Sequence, residues 1–135
     1  MNKKGDIYLA DQYTRRVFKV SKKENNDLDI KSLVVGKDNA QRNELSSPVA
    51  LILDSNDQLY IVDSGMFQIL KVTEKEDGTV ELKTILGGGD KYGDSMRHID
   101  HLFNPQDIAF DLEGNLFISD TSNGRIGFIP KELLE

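Results

Sequence analysis

The sequence predicts an all-β chain of antiparallel four-stranded sheets packed face to face. Three observations predict it: apolar runs of strand length, a unit that recurs along the chain, and strands that are apolar on both faces. The runs are four to seven residues long, rich in Ile, Val, Leu, Tyr and Phe, and bounded by Asp, Asn, Gly and Ser. That length and punctuation favour strand over helix.

The recurring unit is found in GDIYLADQYTRRVFKV (5–20), NDQLYIVDSGMFQILKV (56–72) and EGNLFISDTSNGRIGFI (113–129). Each copy is an apolar strand, an Asp, a polar turn and a second apolar strand. The aspartates are Asp11, Asp63 and Asp120, at spacings of 63 − 11 = 52 and 120 − 63 = 57. Two copies have a Leu-x-x-Pro lead-in and a further strand ending at Asp, LSSPVALILD (45–54) and LFNPQDIAFD (102–111). Two copies continue into a strand that ends at glycine, LDIKSLVVG (28–36) and VELKTILGG (80–88). A full unit therefore has four strands, expected at 49–53, 59–62, 67–72 and 80–86.

In the second of these strands Leu59 and Ile61 point one way and Tyr60 and Val62 the other. A sheet with one wet face would alternate apolar and polar residues, so this sheet is expected to lie between two others. The strand at 80–86 carries Glu81, Lys83 and Thr84 and reads as an outer, partly solvated strand. Four-stranded sheets stacked radially make a β-propeller, and each needs its neighbours to cover both faces. The chain holds about 2.5–3 such blades, expected at about 5–36, 45–87 and 102–130 of a single domain. Propellers close with roughly 4–8 blades. The remaining blades are expected from a longer chain, or from a second copy paired head to tail into a six-bladed ring. The PKELLE tail is expected to form half a helical turn, since Pro130 makes a poor strand.

The stretch from Lys83 to Ile126 resembles the NHL repeat: a glycine-rich loop, Leu-x-x-Pro, an apolar strand ending in Asp, Gly-Asn-Leu, an apolar strand, and Asp-Thr-x-Asn-x-Arg-Ile. Residues 102–126 fit nearly position for position. The second copy departs from the pattern, with Gly65 and Met66 in place of turn polars and Gln68 where Arg is expected; the first keeps Asp11 and Arg16. The resemblance implies a propeller that acts as a binding or scaffold module for a protein or small ligand. It also carries two alternatives: a lactonase-like hydrolase or lyase with a metal in the channel, and an RNA-binding domain.

Composition narrows these. The chain has 135 residues, 38% hydrophobic and 30% charged, with a formal net charge of −6. An acidic balance disfavours nucleic acid as the default partner. The basic cluster Arg15, Arg16, Lys19, Lys22 and Lys23, beside Tyr13 and Phe18, is the feature that would support RNA; Arg16 and Lys19 sit among apolar positions and read as a solvated outer edge. Absence of cysteine excludes disulfides and thiolate metal sites. No apolar run has transmembrane length, so no membrane partner is expected, and the compartment stays open. No nucleophile–base motif and no G-x-S-x-G occurs, so no catalytic residue and no cofactor are expected.

Antiparallel strands place the Asp-bearing turns and the long loops 36–44 and 87–103 at one end of the stack, and long loops in compact repeats often carry function. A ligand is expected there, on Asp11, Tyr13, Arg15, Asp63, Met66, Phe67, Asp120, Asn123 and Arg125 from the turns, with Tyr92 and Arg97 from the second loop. The aspartates themselves read as acceptors for backbone N–H groups of their own turns, with Arg16 and Arg125 holding neighbouring strands. His98, Asp100 and His101 are weak metal candidates, because the histidines are three apart in a loop rather than four apart on a helix face. The run GGGDKYGDS (87–95) has phosphate-loop glycine spacing, but Asp94 stands where the lysine is needed and would repel phosphate.

Overall fold

The computed structural model describes residues 1–87 and 105–134. Within them, ten strands form three antiparallel sheets, an open stack rather than a closed ring. The first sheet is β1 (Ile7–Asp11), β2 (Arg16–Lys22) and β3 (Leu28–Val35). The middle sheet is β4 (Pro48–Leu53), β5 (Leu59–Asp63), β6 (Gln68–Glu74) and β7 (Val80–Gly87). The last is β8 (Pro105–Phe110), β9 (Leu116–Asp120) and β10 (Arg125–Ile129). Each sheet pairs its strands in chain order, as short turns dictate. The four strands read from the sequence at 49–86 are thus those of the middle sheet.

The irregularities of the sheets recur with the unit. Register slips between Pro48 and Ala50 in β4 and between Pro105 and Asp107 in β8. Proline has no N–H to give the ladder, so each of these strands opens on a bulge. A second pair of slips, Val17/Phe18 and Ile69/Leu70, falls at matching places in β2 and β6.

The middle sheet is buried on both faces. Leu59, Ile61, Leu70 and Val72 share a core with Val17, Leu33 and Val34 of the first sheet. Tyr60, Val62, Ile69 and Leu86 share another with Ile108, Leu116, Ile118 and Ile129 of the last. Alternate residues of β5 therefore serve different cores, which is what apolar residues on both faces of the strand require. The Tyr60 and Phe110 rings meet edge to face across the second junction, centroids 5.3 Å apart.

Two details correct the sequence reading. β2 is the central strand of its sheet, not an outer edge, and Lys19 is half-buried against the middle sheet, its Nζ 2.9 Å from Glu74. The basic cluster is also dispersed. Arg15 pairs with Asp38, Arg16 reaches Ser32, and Lys22 and Lys23 lie at the far end of β2. The tail makes a single 3-10 turn, Lys131–Leu133, as half a turn was expected to form. Burial of Leu134 in the second core, with its carbonyl accepting from Lys71 Nζ at 3.2 Å, has no counterpart in the sequence reading.

Ile61 and Ile69 are fully buried in opposite cores. Ile61→Ala and Ile69→Ala are each expected to cost about 2–5 kcal/mol in urea unfolding. Equal losses would show that both junctions stabilise the fold; a loss confined to one would show that the other is loose.

Candidate functional site

The β1–β2 turn, the 36–47 loop and the β5–β6 turn lie together at one end of the stack. Gly36 N–H donates to Arg15 O at 2.6 Å, Ser64 N–H donates to Ser47 O at 3.0 Å, and Arg15 forms an ion pair of 3.1 Å with Asp38. The loop is therefore pinned between the turn before it and the turn after it.

Asp63 is the centre of this end. It is wholly buried, and its carboxylate accepts from Ser47 N–H (2.8 Å), Ser46 N–H (2.9 Å), Gly65 N–H (3.0 Å) and Gln68 Nε2 (2.8 Å). This accounts for the Leu-x-x-Pro lead-in. Leu45 is buried in the core, the two intervening residues give their N–H groups to Asp63, and Pro48 has none to satisfy. Gln68 continues the network: Nε2 also donates to Glu44 O at 2.7 Å, and Oε1 accepts from Thr84 Oγ at 2.6 Å. Thr84 in turn holds Asn43 of the loop, accepting its N–H at 2.8 Å and donating its own to Asn43 Oδ1 at 2.7 Å. Arg125 holds the position of Gln68 in the last sheet, its Nε 3.5 Å from the buried carboxylate of Asp120. The amide of Gln68 and the guanidinium of Arg125 thus meet the same aspartate position.

Asp11 is less buried and, among the described residues, accepts within its own turn, from Tyr13 N–H (3.0 Å) and Thr14 N–H (3.3 Å). Hydrogen bonding from the Thr14 side chain and backbone, with a smaller part from Tyr13, holds its carboxyl below the ordinary value against a weak opposing effect of burial. Its folded pKa being depressed, its contribution is present above the unfolded pKa of roughly 3.9 and is lost as pH falls through the lower folded value.

The turn backbone itself recurs. Arg15, Phe67 and Gly124, at matching positions, have φ of 58°, 50° and 60°. Glycine suits this left-handed conformation, and an arginine or phenylalanine there is strained. Gly65 answers a different need: a Cβ there would lie 2.2 Å from Ser46 Oγ, so the turn closes on the loop only with glycine.

The sequence-derived site residues separate into two groups. Asp63 and Asp120 are interior acceptors, and Met66 and Phe67 are half-buried, Phe67 packing on the core. Tyr13 is 100% exposed, and with Gln12, Arg15 and Ser47 it borders a hollow of about 410 Å³. Asn123 lies in the 3-10 turn Thr121–Asn123. Tyr92, Arg97, His98, Asp100 and His101 lie outside the described residues, as does all but Gly87 of the glycine-rich run. Among the described residues no group of three or more His, Asp or Glu side chains could hold a metal ion. None of their helices is long and apolar enough to cross a membrane.

The opposite end has hollows that sequence reasoning missed. One of about 320 Å³ lies between the first and middle sheets, where Lys19 joins Glu74 at 2.9 Å and Asp6 at 3.8 Å with Tyr8 alongside. Another, about 450 Å³, lies between the middle and last sheets and is bordered by Tyr60, Lys71 and Lys131. Burial, with the nearby Asp54 carboxylate adding to it, pushes the Tyr60 phenol up to about 12, so it stays protonated. The first hollow joins residues 55 apart in sequence, Lys19 and Glu74, and the second residues 63 apart, Lys71 and Leu134, so no local motif announces them.

No protein-family model matches the chain, and no curated protein matches its sequence.

Asp63→Ala leaves buried donors unpaired and is expected to cost about 3 kcal/mol or more by chemical denaturation. Asp11→Ala should have a much smaller effect. Gly124→Ala, which meets no atom within 4 Å, should cost about 1 kcal/mol through its backbone alone.

Proposed function

We propose that the chain is a run of NHL-type propeller blades that works as a binding module. It takes a protein or small ligand at the end carrying the β1–β2 turn and the 36–47 loop. The propeller part is supported by three stacked antiparallel sheets, by the recurrence of their bulges, and by the matching Asp63–Gln68 and Asp120–Arg125 pairs.

Tyr13 carries the binding part. Among the described residues, the other conspicuous groups at this end are engaged with one another: Asp63, Gln68, Thr84 and Asn43 in one network, and Arg15 with Asp38. Tyr13 is a wholly exposed aromatic on a turn tied down at both ends, beside a hollow large enough for a side chain. A tyrosine offers large contact area on few rotatable bonds, hence at small entropic cost, and such residues dominate binding energy.

Peptides selected from a random display library against the chain test this. By calorimetry they should lose at least tenfold affinity, about 1.4 kcal/mol, on Tyr13→Ala and keep it on Lys131→Ala at the opposite end. The reverse pattern would move the site to the other end of the stack and contradict the proposal.

A further inference from the structure

Among the described residues, the two outermost faces of the stack are apolar and uncovered. On the first sheet Ile7, Leu9 and Ile30 are exposed, and on the last Phe117, Ile126 and Phe128. The Phe117 and Phe128 rings lie against each other with centroids 5.1 Å apart.

The repeat shows what these faces match. Leu9 is 52% exposed, yet its counterpart 52 residues on, Ile61, is fully buried against the first sheet. Ile30 has Leu82 at the same offset, packed in that core. The free face of the first sheet is therefore the face that the middle sheet presents to its predecessor. Ile126 is 67% exposed, yet Ile69, 57 residues earlier, and Val17, 52 residues before that, are both fully buried. The free face of the last sheet is the face that the first and middle sheets each present to their successor. The two uncovered faces are thus the two halves of a junction that already occurs twice inside the chain.

We propose that a second copy of this chain covers them: the last sheet of each copy packs on the first sheet of the other. Ile126 of one copy then enters a common core with Leu9 of its partner, as Val17 shares a core with Ile61 and Ile69 shares one with Ile118 within the chain. The contact is head to tail, and such contacts either close into a ring or run on as a filament. The three described sheets of each copy would make a six-sheet ring, within the usual range for closure. Only this closure, not the contact, rests on the propeller reading above; loss of peptide binding at Tyr13 would leave the contact untouched.

Sedimentation equilibrium of the full chain at micromolar concentration should give twice the chain mass. Ile126→Glu and Leu9→Lys alter exposed residues, so each should keep its β circular dichroism and a cooperative melt. Each alone should sediment as a monomer. Mixed in equal amounts they should recover a dimer, because one junction is then native and the other sets Glu against Lys. A wild-type monomer with a cooperative melt would overturn the proposal and leave both faces to sheets outside this chain. Variants that still dimerise alone, or a mixture that stays monomeric, would overturn the head-to-tail pairing. A mass that climbs past two copies with concentration would overturn closure.

Discussion

Burial of the middle sheet on both faces is the constraint on which the rest depends. A strand sends successive side chains to opposite sides, so β5 can satisfy two cores only if the run that faces them, Leu59 to Val62, is apolar throughout. Leu59 and Ile61 enter one core and Tyr60 and Val62 the other, all nearly or wholly removed from water. Each outer sheet lends one face to this arrangement and has a second face to spare. The open stack and its two apolar outer surfaces are consequences of the same pattern.

Holding sheets face to face leaves their connecting loops at the ends, and backbone groups there need partners. Asp63 supplies them for the middle sheet. One carboxylate fixes the entry to β4, the β5–β6 turn and the side chain of Gln68, which anchors the 36–47 loop through Thr84 and Asn43. Asp11 holds the same position in the first sheet but, among the described residues, it bonds only its own turn. That difference leaves the first turn free to display Tyr13, whereas the matching Gly65 is pressed against Ser46.

Strands, their order and the two-faced core were legible in the sequence because they follow from local periodicity and a repeated unit. The structural role of the turn aspartates was half legible. Acceptance from their own turn was expected and holds for Asp11 and Asp63, but the reach of Asp63 to Ser46 and Ser47 is a tertiary contact. Lys19 misled because strand order within a sheet decides which residues are at an edge, and a charge in β2 finds Glu74 on a neighbouring sheet. Leu134 was equally out of reach, since its burial depends on the tail folding back over the junction of the middle and last sheets.

Native-state hydrogen exchange tests the central claim most directly. If the middle sheet holds both neighbours, the amides of β5 and β6 should be the slowest to exchange, opening only with global unfolding. Those of β3 and β10, at the outer edges, should exchange faster through smaller openings. Slower exchange in either outer sheet than in β5 and β6 would contradict the account.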